Sequence, residues 1–194
     1  MDFEAFLNAA WSEHASEPEA VAQRLTQSTA MLQETAQIPP YAQLGAHVFG
    51  EHLGQWRRGI TFLETLTEVP CFTAGTEADA TIRRLVAALE LANGTPSTER
   101  SRLQLSDHVR VLSLAAAALT GQAQTKRATE LFSQALELAS GIADDDPAQR
   151  ALAVVSNNLA ADLEEKAERT AGERELMLLA ARTARARWRS QALG

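Results

Sequence analysis

The chain has 194 residues, 45% of them hydrophobic and 22% charged, with a formal net charge of −7; a chain this long buries roughly 70% of its unfolded surface. Disorder and a membrane-embedded class are disfavoured by this balance, and no apolar run approaches the ~20 residues that cross a bilayer. The acidic start Met1-Asp2-Phe3-Glu4 lacks the basic and apolar regions of a secretory signal, so the expectation is a soluble, cytoplasmic, single all-α domain over 1–194.

Helical periodicity fills most of the sequence and sustained strand-like alternation is missing, which predicts about nine helices. In the first, Phe3, Phe6, Leu7, Ala10, Trp11 and His14 recur at helical spacing and form one apolar stripe. Ser16-Glu17-Pro18-Glu19 reads as a capping box opening a second helix. That helix is expected to run to about Gln37 and to stop before Pro39-Pro40, which lack amide donors.

Helices three and four, about 40–53 and 55–68, are parted only by the neighbourhood of Gly54, which predicts a tight antiparallel pair. Helix five, about 77–93, opens at the box-like Thr76-Glu77-Ala78-Asp79 and closes at Asn93-Gly94, a pair suited to a left-handed cap. The loop-like Gly94 to Glu99 segment is too short to separate independent domains. Helix six, about 101–120, carries the small-residue run Ala115 to Ala118, which permits close helix approach. After Gly121, helix seven spans about 123–140, and Asp146-Pro147 starts helix eight with a good cap and a first-turn proline. Helix nine follows from about 169 to 190.

Internal similarity is the most informative feature. Ala88-Leu89-Glu90-Leu91-Ala92-Asn93-Gly94 recurs as Ala135-Leu136-Glu137-Leu138-Ala139-Ser140-Gly141, and Leu85 matches Phe132 upstream. Ala128, Phe132 and Ala135-Leu136, preceded by the Gly121 turn, resemble the second helix of a tetratricopeptide repeat. Leu44-Gly45 through Gly54, Trp56, Gly59, Leu63 and Leu66, with Pro70 near the end, looks like another unit. A third is suggested by Asn157-Asn158-Leu159-Ala160 continuing into Met177 and Ala180-Ala181. The resemblance implies stacked antiparallel hairpins with a concave groove that binds an extended peptide or another protein. Helix five has no obvious hairpin partner in this scheme.

On that reading the groove candidates are His47, Glu51, Arg110, Ser113, Asn157 and Asn158, polar groups able to meet a peptide backbone. His47 and Glu51, four apart, are also expected to pair with each other on a helix surface. On the last helix, Arg182, Arg185 and Arg189 form a stripe that reads either as a solvated terminal turn or as a docking site for an acidic partner or RNA, while Ala181, Ala184 and Trp188 form a neighbouring face expected to pack inward. Apart from the four arginines of the last fifteen residues, the chain carries 14 basic against 25 acidic side chains, which disfavours DNA and anionic membranes as partners.

Chemistry is sparse. The lone Cys71 can form no internal disulfide and has no Cys or His neighbour at ligand spacing. His47 and His52 lie five apart, about 140° round an α-helix, so spacing argues against a chelating pair, and no metal is expected. The sequence shows no phosphate loop and no nucleophile motif, and the acidic Asp144 to Asp146 cluster lacks the ligand spacing of a calcium loop. No cofactor and no enzymatic activity are expected. The leading expectation is a protein- or peptide-binding scaffold, with homo-oligomerisation open. The alternative is a helical sensor domain that binds a small ligand and controls oligomerisation.

Overall fold

A computed structural model describes residues 2–95 and 103–192. The described residues form nine α-helices, three short 3-10 or π turns and no strand, so the expected all-α fold built from neighbouring helices is observed. No helix among them is long and apolar enough to cross a membrane. By internal contacts the chain divides into two compact units, Met1–Ser97 and Thr98–Gly194.

The N-terminal unit holds α1 (Phe3–Glu13), α2 (Pro18–Gln27), α3 (Ile38–His47), α4 (Trp56–Thr65) and α5 (Glu77–Asn93). Asp2 caps α1 by accepting the amide of Ala5 at 2.7 Å. The stripe read for this helix is buried through Phe3, Phe6, Leu7 and Ala10. Its aromatic members reach Tyr41 of α3, whose ring lies 6.4 Å from Phe3, 6.0 Å from Phe6 and 5.9 Å from Phe62 of α4. Burial raises the Tyr41 phenol pKa well above its ordinary value, and the hydroxyl donates to the Leu25 carbonyl near the end of α2.

Several local expectations are corrected here. The Ser16 box does not form: α2 has no side-chain cap, Ser16 donates instead to Glu13, and Glu19 pairs with Arg58 at 2.9 Å. The second helix ends at Gln27 rather than Gln37. Two 3-10 turns follow, Thr29–Met31 and Thr35–Gln37, and the prolines fall in the first turn of α3. First-turn amides have no helical acceptor, so Pro39 and Pro40 begin a helix instead of ending one. Thr76 makes no side-chain cap either; the Asp79 carboxylate accepts the Gly75 amide at 2.8 Å.

Helix α5, which has no hairpin partner in the repeat scheme, packs on α3 and α4. Two glycines let these helices meet closely. A Cβ at Gly45 would fall 2.1 Å from the Phe62 ring, and one at Gly59 would fall 2.8 Å from Leu89 and 2.9 Å from Phe49. The expected cap at the end of α5 is present: Gly94 takes φ 76 in the left-handed region, and its amide and that of Thr95 close onto the Leu91 and Glu90 carbonyls. The remainder of the expected loop, 96–99, lies outside the described residues.

The C-terminal unit contains α6 (Leu105–Gly121), α7 (Thr125–Ala139), α8 (Pro147–Glu165) and α9 (Ala171–Ala192). Connections of a few residues fold α6 back on α7 and α8 back on α9. The two hairpins then layer, α6 against α8 and α7 against α9. Ala115 to Ala118 are buried, as their small size suggested, and so are Ala128, Phe132, Ala135 and Ala139 of α7. The positions aligned by the internal repeat share this burial, since Leu85, Ala88 and Ala92 are buried in α5.

Asp146 caps α8 as expected, accepting the Ala148 amide at 2.8 Å and the Ser106 hydroxyl at 2.6 Å. The Ser106 bond foremost, then the amide, holds its carboxyl below the ordinary carboxylate range. Buried Gln149 joins three elements: its Nε2 donates to the Ala139 carbonyl at 3.0 Å, and its Oε1 accepts from Arg187 of α9.

The start of α9 carries a capping box that sequence reading overlooked, Thr170-Ala171-Gly172-Glu173. The Thr170 amide donates to Glu173 at 2.8 Å, and the Glu173 amide donates to the Thr170 hydroxyl at 3.2 Å. Lys166 also donates to Glu173 at 2.6 Å. That bond first, and the Thr170 bonds next, lower the Glu173 pKa from 4.5 to about 2. A carboxyl depressed on folding stabilises the native state above its unfolded pKa, and this stabilisation is lost as the pH falls toward the folded value. Glu173→Gln is therefore expected to lower Tm at pH 7, with the gap to wild type closing between pH 4.5 and pH 2 in thermal melts followed by circular dichroism.

Candidate functional site

Among the described residues, three histidines that could hold a metal ion gather in the N-terminal unit, where α1 ends beside the turn that follows α3. Residues Val48–His52 continue α3 as a π turn. The Leu53 amide bonds to the Val48 carbonyl at 3.0 Å, and the Trp56 indole N–H takes the Gly50 carbonyl at 3.1 Å. The i→i+5 pattern of a π turn places residues five apart on one side of the helix. His47 and His52 therefore meet, with their Nε2 atoms 3.1 Å apart. The rotation that argued against this pair belongs to an unbroken α-helix.

His14, at the C-terminal cap of α1, brings a third ring to the same place. Its centroid lies 4.9 Å from that of His47 and 5.0 Å from that of His52, and the His47 and His52 centroids are 4.7 Å apart. One nitrogen from each ring lies within 4.8 Å of the others. Trp11, one turn before His14, flanks the group, with its ring 5.1 Å from His14 and 5.4 Å from His47.

Hydrogen bonds behind the rings orient two of them. His47 Nδ1 lies 2.9 Å from the Glu51 carboxylate, so this pair read from the sequence is present, in a half-buried setting. His14 Nδ1 bonds to the Trp11 carbonyl. Burial lowers the His52 pKa from 6.5 to about 4, with a further lowering from His47 and His14. Desolvation likewise lowers the His14 pKa. Both rings are neutral near pH 7.

The other residues singled out by sequence are scattered. Ser113 is fully buried and donates to the Arg110 carbonyl at 2.9 Å, so it offers nothing to a visiting peptide. Arg110 is half-buried, and Asn157 and Asn158 are exposed on α8. Asn157 and Asn158 share the exposed side of α8 with Val154, which is 42% exposed. His47 and Glu51 belong to the histidine group in the other unit.

On α9 the inward face is Leu176, Ala180, Thr183 and Ala184. Ala184 packs as expected, but Ala181 is exposed and Trp188 is 41% exposed. Arg182, Arg185 and Arg189 all face solvent. They surround the helix side opposite the core together with Leu178, which at 49% is the most exposed large hydrophobic residue described.

No protein-family model, no curated protein and no solved structure matches the chain.

Proposed function

We propose that the chain is a protein-binding module of layered helical hairpins that docks an acidic, apolar-anchored segment of another protein on the outer face of α9. The observation that carries this reading is the grouping of Leu178 with Arg182, Arg185 and Arg189 on the solvent side of that helix, with Trp188 at its flank. Interface anchors are enriched in Trp and Arg, and a large apolar side chain left in water is stabilised when a partner covers it. The surrounding cations select the sign of the partner, because most of the chain is acidic and repels another acidic surface elsewhere. The layering of α6–α7 on α8–α9 supports the resemblance to tetratricopeptide repeats, and the role is binding without a catalytic step.

Fluorescence anisotropy with labelled amphipathic peptides tests this. A peptide alternating Leu or Phe with Asp and Glu is expected to bind, and its Lys-substituted counterpart is not. Affinity should fall with added salt, since exposed charges are screened beyond about 8–10 Å at physiological ionic strength. Charge reversal in Arg182→Glu/Arg185→Glu is expected to weaken binding by about tenfold or more, as unfavourable juxtapositions cost several kcal/mol. Equal binding of both peptides, or affinity unchanged by the reversal, overturns the reading.

A further inference from the structure

Three half-buried imidazoles from two separate segments converge within 4.8 Å, an arrangement distinct from the α9 surface and unused by it. Metal–imidazole bonds of 2.0–2.1 Å in a tetrahedral shell place ligand nitrogens about 3.4 Å apart. The His47 and His52 Nε2 atoms already stand at 3.1 Å, and one nitrogen from each of the three rings lies within 4.8 Å of the others, so closing on an ion calls for side-chain rotation and no refolding of the segments.

The orientation of the rings is the second observation. A ligating histidine typically donates its other N–H to a carboxylate or carbonyl, which sets the tautomer and makes the ligating nitrogen more basic. His47 has this arrangement with Glu51 at 2.9 Å, and His14 has it with the Trp11 carbonyl. In both, a proton held on Nδ1 leaves Nε2 as the lone-pair donor. The donor set is all nitrogen, which suits zinc, copper, nickel or cobalt and not magnesium or calcium.

We propose that His14, His47 and His52 form a binding site for one divalent transition-metal ion of the zinc class, with Glu51 as a positioning residue behind His47. Three protein ligands leave a fourth position for water or an incoming group. The ion ties the end of α1 to the π turn after α3.

The test uses the full chain, treated with a chelator and titrated with Zn2+ by calorimetry and with Co2+ by visible absorption. One equivalent is expected to bind with a micromolar or tighter dissociation constant. Co2+ should give an intense visible band of low coordination number and quench fluorescence from nearby Trp11. His14→Ala and His52→Ala are expected to weaken Zn2+ binding by at least about tenfold, and Glu51→Gln by about 10–100-fold with the shape of the Co2+ spectrum retained. His108→Ala, in the C-terminal unit, is expected to bind as wild type does.

Because a ligand variant can fail to fold, circular dichroism of each metal-free variant accompanies the titrations. A nitrogen-15 spectrum of the wild-type histidines provides a measurement free of substitutions: Zn2+ should shift one ring nitrogen of each of the three and leave His108 unmoved. Unsaturable binding, binding retained by folded His14→Ala and His52→Ala, or unshifted imidazole nitrogens overturns the proposal.

Discussion

Gly45→Ala is expected to destabilise the protein by about 3 kcal/mol, at the upper end for overpacked positions, seen as a lower midpoint in urea denaturation. In an exposed helix the same change stabilises by about 1 kcal/mol through propensity, so the sign depends on what the new methyl meets. Here its three nearest neighbours are atoms of one ring, at 2.1, 2.8 and 2.9 Å from the added Cβ. The ring has nowhere to go. Phe62 is buried, with Tyr41 at 5.9 Å and Phe49 at 5.4 Å between centroids.

Gly172→Ala provides the comparison, because its added Cβ meets only Thr125 at an ordinary 3.6 Å; that variant is expected to be neutral or slightly more stable. If the Phe62 clash is the cause, Phe62→Leu in the Gly45→Ala background should recover part of the loss. Equal midpoints for Gly45→Ala and wild type would show that α3 and α4 do not meet this closely.

Phe132→Ala is the second large effect, with an expected loss of about 3–5 kcal/mol for an aromatic removed from a closed core. Phe132 is fully buried on α7, and Ala128, Ala135 and Ala139 on the same stripe are fully buried too. Small neighbours cannot extend into the space the ring vacates, so the cavity persists. Phe132→Leu keeps most of the volume and is expected to cost less than about 1.5 kcal/mol. Far-UV circular dichroism in urea measures both, and a single-tryptophan chain retaining Trp188 reports on the unit that contains the ring. A Phe132→Ala loss no larger than that of Phe132→Leu would remove the closed-core account.

Phe132 was legible in advance because its burial is a periodic property. The same holds for Leu85, Ala88 and Ala92, whose match to Phe132, Ala135 and Ala139 is a match of inward positions on two helices. Asp146-Pro147 and Asn93-Gly94 were legible for a related reason: a cap is settled by a few adjacent residues. The Thr170 to Glu173 box carried the same kind of signal and was there to be read.

Where a distant group competes, local reading failed. The helix after Pro18 closes at Gln27, and the Leu25 carbonyl near its end takes the hydroxyl of Tyr41, sixteen residues on. Ser16 and Glu19 looked like partners, but Glu19 found Arg58. Ser113 looked like a surface hydroxyl and is buried between helices. On α9, the periodicity separated an Arg stripe from a small and aromatic face, yet only packing showed that Trp188 stays exposed while Ala184 turns inward.

The histidine group marks the limit most sharply. Spacing in an α-helix sets His47 and His52 apart, and only a π turn reunites them. His14 arrives from another helix altogether.

From sequence alone came the all-helical class, most helix starts and stops, and the buried stripes, because hydrophobic periodicity and capping act over a few residues. Tertiary structure decided which polar side chains distant in sequence meet: the three imidazoles, Glu19 with Arg58, and Gln149 with Arg187. Those meetings depend on one helix's register and on how helices distant in sequence pack, and neither is encoded in any short window of the chain.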